Sequence, residues 1–343
     1  MPMLTTRETD ILNLIVDDYI RTGSPIASES IVRNHNLGVS SATIRNEVSA
    51  LEQGGYLTRP HTSAGSVPLD KGYRIYVETV ASPQPGTIPP SIMKQVRNRL
   101  MEVERDVEEW TSVAAAVLSG LVENLAIATS PRAREAKVNR VQLVSLQDLL
   151  ALVIVVFGQT RVRRQLIRLK TPLATPRLEM TANKVSELIG GLTRQQIEAR
   201  EMELSPLEEE VVDSTVLMLK EEDSASVNDH YVDGLRLLLA QPEIAGIDTM
   251  RAVVEAAEDG TLVRAILEEA PETGIVRVVI GQENRGDFMW PLSVVIGRYG
   301  IPGEAIGTVG AVGPMRMEYS RAIAGVELLG LVMSEMVEGV HGA

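Results

Sequence analysis

The residues best suited to chemistry in this chain lie between Leu37 and Leu57, LGVSSATIRNEVSALEQGGYL. The spacing predicts a helix from about Ser41 to Gly54, capped by Ser40 or Ser41 and closed by a left-handed turn at Gly54-Gly55. At helical periodicity Ile44, Val48 and Leu51 share one narrow apolar face. The opposite face carries Ala42, Asn46, Ser49 and Gln53, with Arg45 and Thr43 on its flanks. Such a set can read base edges in a DNA major groove. Asn and Gln bond adenine, Arg bonds guanine, and Ala or Thr meets a thymine methyl. A helix with a polar outer face is more often simply solvated, so its neighbours decide.

Those neighbours fit. Thr6–Thr22 predicts an amphipathic helix with Ile11, Leu12, Ile15, Val16, Tyr19 and Ile20 inward, and a short helix near Ser28–Asn34 precedes the LGVS turn. Three helices with a tight turn before the last make a helix-turn-helix. Downstream, TRPHTSAGSVPLDKGYR (Thr58 to Arg74) supplies the prolines, glycine and small hydroxyl residues of a hairpin tip that approaches phosphates closely, a wing. Arg45 and Asn46 are therefore assigned to base edges, with Ala42 and Ser49 beside them. Ser40, Ser41 and Thr43 are placed near phosphate, and Lys71, Arg74 and the Ser63-Ala64-Gly65 tip hold the backbone.

Other chemistry finds no constellation. The four histidines, His35, His61, His230 and His341, are far apart and read as surface or packing residues, with His61 close enough to the wing to touch DNA. There is no P-loop, no H-E-x-x-H and no G-x-S-x-G. GTVGAVG (Gly307–Gly313) has the wrong glycine spacing for a dinucleotide loop and sits inside a predicted strand. No metal, cofactor or catalytic residue is expected.

The chain has 343 residues, 44% of them hydrophobic, and no cysteine, so disulfides and thiolate zinc sites are excluded. That suits the cytoplasm without requiring it. The N-terminus lacks the order of a signal peptide, and the longest apolar run, Leu149–Phe157, is nine residues, too short to cross a bilayer. The net charge of −13 argues against nucleic-acid binding, as does the count of seven Lys/Arg against nine Asp/Glu over residues 1–80. The local balance differs: residues 1–30 hold five acids and two bases, residues 31–76 three acids and five bases. Specific recognition needs a positive stripe on one face rather than a basic protein.

Beyond residue 80, Ser82–Pro90 (SPQPGTIPP) has four prolines and a glycine in nine residues and reads as a linker. Within Ser91–Ile127, apolar residues from Met93 through Leu100, Trp110 and Leu121 are spaced alternately three and four apart, as in a heptad seam. This fits either a helix joining two domains or a long core helix. Strands are expected at Val138–Ser145, Leu149–Gly158 and Val162–Leu169, then about a hundred mostly helical residues. Further strands at Gly274–Gly281, Met289–Tyr299 and Ala305–Val312 lead to a last helix near Met317–Val340. A sheet that begins, is interrupted and resumes suggests an α+β domain with an insertion.

The first eighty residues resemble the DNA-binding domain of the HrcA family of bacterial heat-inducible transcription repressors. The runs SSATIRNE and PHTSAGSVPLDKGYR carry the likeness. It resumes in IGQEN (Ile280–Asn284) and GPMRMEYSR (Gly313–Arg321), more weakly in QPE (Gln241–Glu243). The family usually has a basic residue in the wing where this chain has Ser66. The resemblance implies a GAF-like core domain with an inserted dimerisation domain. Combined with the pattern above, it divides the chain into a winged helix (1–80), a linker and connecting helix (81–127), a core in two parts (128–172 and 273–343) and the insertion (173–272). It also implies a homodimer on an inverted repeat of double-stranded DNA, the CIRCE operator of chaperone genes, with GroE chaperonin supporting the active fold. The other reading is a regulator sensing a small molecule in the GAF-like domain. Arg316, Tyr319 and Arg321 are read as a structural corner between strand and helix rather than as a signalling contact.

Overall fold

Residues 4–35, 38–61, 64–82, 87–103, 107–131, 136–158, 161–224, 230–271, 276–302 and 304–341 are described in a computed structural model of the chain. Helix α1 (Thr6–Thr22) opens with a reciprocal cap: the Thr5 hydroxyl accepts from the Glu8 N–H, and the Glu8 carboxylate accepts from the Thr5 N–H. Gly23, at φ 63°, ends it. Helices α2 (Ser28–Asn34) and α3 (Ser41–Gln53) follow, then strands β1 (Leu57–Thr58) and β2 (Val67–Pro68) and helix α4 (Asp70–Thr79). Ile11, Leu12, Ile15, Val16, Ile31, Ile44, Val48, Leu51 and Leu57 are buried together beneath them. This is a winged helix-turn-helix.

The heptad seam is divided between two helices. α5 (Pro90–Met101) and α6 (Val107–Val122) pack against one another. The expected continuation to Ile127 is instead strand β3 (Leu125–Thr129). Glu123 takes φ 54°, which stops the helix and turns the chain into the sheet. Trp110, Ala114, Leu118 and Leu121 on α6 are buried and α6 lies against β3, so this half of the seam belongs to the core.

Two compact units result. The first comprises residues 1–130, 230–299 and 307–336. Its sheet has the order β7-β3-β10-β9-β8, with β7 (His230–Asp233), β8 (Arg277–Ile280), β9 (Leu292–Ile301) and β10 (Ala305–Pro314). Pairings of β7 with β3, β3 with β10, and β8 with β9 are antiparallel. Leu125, Ile127, Val294, Ile296 and Val312 pack on one side with Leu238, Val253, Leu262 and Ile266. Those last four come from α10 (Leu235–Leu239), α11 (Ile247–Glu258) and α12 (Thr261–Glu268). The alternate residues turn toward α6 and the last helix, α13 (Tyr319–His341), where Gly325 lets α13 close on Leu118 and Leu121. The fold is α+β, as expected.

The second unit comprises residues 131–229, 300–306 and 337–343. Strands β4 (Val138–Gln147), β5 (Leu150–Phe157) and β6 (Arg161–Arg168) form an antiparallel sheet of their own. α7 (Thr175–Ile189), α8 (Arg194–Glu198) and α9 (Pro206–Ser224) cover one side of it, burying Val141, Leu143, Val153, Val155 and Phe157 against Leu178, Val185, Ile197 and Leu219. This redraws the expected division. The strands between 138 and 168 bond to each other and not to β3, so they join the insertion. α11 and α12, placed in the insertion from sequence, pack under the core sheet. Between α7 and α8 the chain turns at Gly190-Gly191, where Gly191 takes φ 78°.

Candidate nucleic-acid interface

Helix α3 is held by its inner face and left open on its outer one. Ile44, Val48 and Leu51 are fully buried, while Ser41, Ala42, Arg45, Asn46 and Ser49 are exposed. Ser40 is the N-cap: its hydroxyl accepts from the Thr43 N–H at 3.2 Å and lies 2.9 Å from the Thr43 hydroxyl. Both hydroxyls are thus engaged in starting the helix. Arg45 does not stand alone, because Glu29, in the first turn of α2, accepts from its guanidinium at 2.5 Å. The pair is open to solvent, at 59% and 74% side-chain exposure, so water weakens it. Helical periodicity within α3 carries no trace of this partner sixteen residues upstream.

The wing is tied down twice. Ile26 and Ser66 exchange backbone hydrogen bonds of 2.9 and 2.8 Å, and β1 pairs with β2 through Leu57–Pro68 and Thr58–Val67. One oxygen of Glu52 accepts from both the Arg59 guanidinium (2.6 Å) and the Ser66 hydroxyl (3.0 Å), bracing the wing on the end of α3. Ser66 is only 2% exposed. At the position where the resemblance leads one to expect a basic residue, the side chain turns inward as a strut. Gly65 lies where the wing crosses the backbone of Ile26, and a Cβ there would sit 2.5 Å from the Ile26 carbonyl carbon. It permits close packing. Ala64 closes the turn through its N–H to the His61 carbonyl. Ser63 lies outside the described residues.

Of the two basic residues assigned to DNA backbone on α4, Lys71 is exposed. Arg74 has another partner. Its Nε donates to Glu283 at 2.8 Å, its Nη2 donates to the Val278 carbonyl at 2.8 Å, and the same Nη2 pairs with the second Glu283 oxygen. Desolvation opposes charge on Arg74, but the Glu283 carboxylate outweighs it and holds the guanidinium protonated. The sequence separation of 209 residues hides this contact from any local reading. Tyr319 makes a structural corner, donating to the Met315 carbonyl at 2.6 Å and accepting from the Ser293 hydroxyl at 2.8 Å. Among the described residues, no group of three His, Cys, Asp or Glu could hold a metal ion. No described helix is long and apolar enough to cross a membrane.

A winged helix with an open polar third helix, mounted on an α+β body, is the build of a transcription regulator. Comparison with known proteins narrows this. Residues 95–323 match the family described as HrcA protein C terminal domain. The heat-inducible transcription repressor HrcA of Dehalococcoides mccartyi (strain ATCC BAA-2266 / KCTC 15142 / 195) is 40% identical over 340 residues, 99% of this chain and 98% of that protein. The repressor of the same name from Chloroflexus aurantiacus is 31% identical, covering 98% and 95%. A crystal structure of a hypothetical protein shares the fold, with a TM-score of 0.61 at 22% identity over 98% of this chain and 99% of its own. The chain belongs to the HrcA family of heat-inducible transcription repressors, proteins whose role is not enzymatic.

Proposed function

We propose that the chain represses transcription as a homodimer whose two α3 helices read the matching halves of an inverted repeat in duplex DNA. The observation that carries this is the outer face of α3: Ala42, Arg45, Asn46 and Ser49 stand exposed on a helix whose other side is fully buried. Ser41, Lys71 and Ala64 flank that face for phosphate contact, with Ser40 and Thr43 fixing the helix start. Arg74 and Gly65 are left out, since the one is bonded within the protein and the other packs on Ile26. Family membership supports a CIRCE-type operator of chaperone genes, an active fold supported by GroE chaperonin, and a cytoplasmic setting. Heat would then divert chaperonin to unfolded protein and release the operator.

Support for the homodimer comes from the second unit. Antiparallel sheets with one solvated face normally put polar residues there. Here Arg140, Gln142, Arg164 and Arg168 share the uncovered face with an apolar set, Val144, Leu152, Ile154, Val156, Val162 and Leu166. Val162 and Leu166 are 59% and 55% exposed. A second copy, presenting the same apolar patch across a two-fold axis, is the occupant that suits it.

The reading is tested by titrating a palindromic operator duplex and a scrambled duplex of equal length at moderate salt. Two chains per operator, with binding much weaker on the scrambled duplex, is the expected result; equal affinity for both would refute it. Glu29 supplies a second check. Glu29→Gln removes the competing partner of Arg45 and a negative charge near the DNA. Exposed pairs are worth roughly 0.2–1 kcal/mol, so operator affinity should rise about 1.5- to 5-fold. A fall in affinity would mean that Glu29 prepares Arg45 for its base instead of restraining it.

A further inference from the structure

The late motifs IGQEN, QPE and GPMRMEYSR converge on one place. The Asp70 carboxylate accepts from the Gln282 N–H at 2.8 Å, four residues before Arg74 bonds Glu283 and the Val278 carbonyl. Glu283 is itself held, accepting from the Ile280 N–H at 2.9 Å. Asn284 fixes the same turn by donating to the carbonyls of Gly281 and Leu292, each at 2.9 Å. Gly281 takes φ 53°, and a Cβ there would stand 2.3 Å from the Asp70 carboxylate oxygen, so the turn is shaped to let α4 approach. Buried Tyr73 of α4 and Tyr319 meet at a tilt of 50°, with ring centroids 6.2 Å apart. At the far end Arg316 pairs with Glu243 and lies against Gly23 at the end of α1. Ion pairs, backbone bonds and an aromatic contact thus join the winged helix to the core sheet, and both fall within one compact unit.

We infer that this seam is a positioning device: Asp70, Arg74 and Glu283 hold the winged helix at a fixed angle on the core, so that a dimer presents its two α3 helices at the spacing of the operator. The inference rests on the DNA-binding reading above. A free linker would spread the two winged helices over many spacings and angles, so the effective concentration for the second binding event would be lower than on a mount that matches the span. A rigid mount turns the pair into one reader whose preference for a full repeat depends on the seam. Of the three, Glu283 gives the cleanest handle, because it belongs to the core and not to the winged helix.

The test compares the full-length wild type, Glu283→Ala and Glu283→Gln on a duplex with both half-sites and on one with a single half-site. Glu283→Ala should bind the single half-site within about twofold of wild type and lose about tenfold or more on the full repeat. Glu283→Gln, whose single carbonyl oxygen can still accept from Arg74 Nη2 and the Ile280 N–H while its amide nitrogen faces Arg74 Nε, should recover part of that loss. Equal losses on both duplexes, or no loss on either, would overturn the inference. If the wild type itself ignores the repeat, the DNA-binding reading fails, and hydrogen exchange decides the seam separately. Faster exchange in Glu283→Ala confined to α4 and Ile280–Asn284 would uphold it; unchanged exchange there would overturn it.

Discussion

Glutamate in place of Leu152 should leave the chain folded and monomeric, and weaken binding to a full inverted repeat by about a hundredfold or more. Leu152 sits at the middle of the uncovered face of β5, in register with Val144 on one side and Leu166 on the other. In a single chain a carboxylate there meets water at no great expense, so β4–β6 and the helices beneath them should keep their packing. Between two copies it would lose water among aliphatic side chains, with Arg164 and Arg168, its diagonal neighbours on β6, offsetting only part of the charge, and two such carboxylates would repel across a two-fold axis. The effective penalty for removing an ion from water is several kcal/mol even after relaxation, comparable to what a modest apolar interface contributes. Once the chains separate, each α3 finds its half-site alone, and the gain from linkage is lost. Sedimentation and operator titration on the same sample check both halves of this expectation. A variant that remains dimeric would move the interface elsewhere.

Arg45→Ala should cost about 1–3 kcal/mol on the operator, roughly 5- to 150-fold in affinity, and little on scrambled DNA. Arg45 is exposed at the open face of α3 and lies outside the buried set of Ile44, Val48 and Leu51, so its removal leaves the helix anchored. The pair with Glu29 competes for its guanidinium without burying it. A bidentate contact to one guanine should show as relaxed discrimination at one base position in each half-site. Uniform loss on operator and scrambled duplexes would instead make Arg45 a phosphate ligand, and base reading would pass to Asn46 and Ser49.

What was legible in the sequence follows from how local its causes are. The cap of α3, the apolar stripe of Ile44, Val48 and Leu51, and the glycine- and proline-marked wing depend on residues within a few positions of each other. The helix that stops at Val122 was not legible. Its stripe continues in phase through Leu121 into Leu125–Thr129, and only the left-handed turn at Glu123, a residue with no preference for that conformation, diverts the chain into the sheet. Strand β7 was missed because His230–Asp233 has no alternating pattern and is recruited by backbone pairing to β3. Three strands were assigned to the core because periodicity marks a strand but not its partners; register does that. Side-chain partners far apart in sequence were the least accessible. By type and position Arg74 suits a phosphate ligand, and Glu283 claims it from the other end of the chain. Ser66 stands out in the sequence only as a missing basic residue, and its bond to Glu52 exists only once the wing folds over the end of α3.

The most direct measurement of the whole account is selection of fragments from sheared bacterial genomic DNA by the purified full-length protein at moderate ionic strength, followed by footprinting of those retained. The predicted result is enrichment of a single inverted repeat, protected on both halves, with the two protected major-groove faces one helical turn or a whole number of turns apart. Retained fragments with no common sequence, or protection of isolated single sites without symmetry, would contradict it.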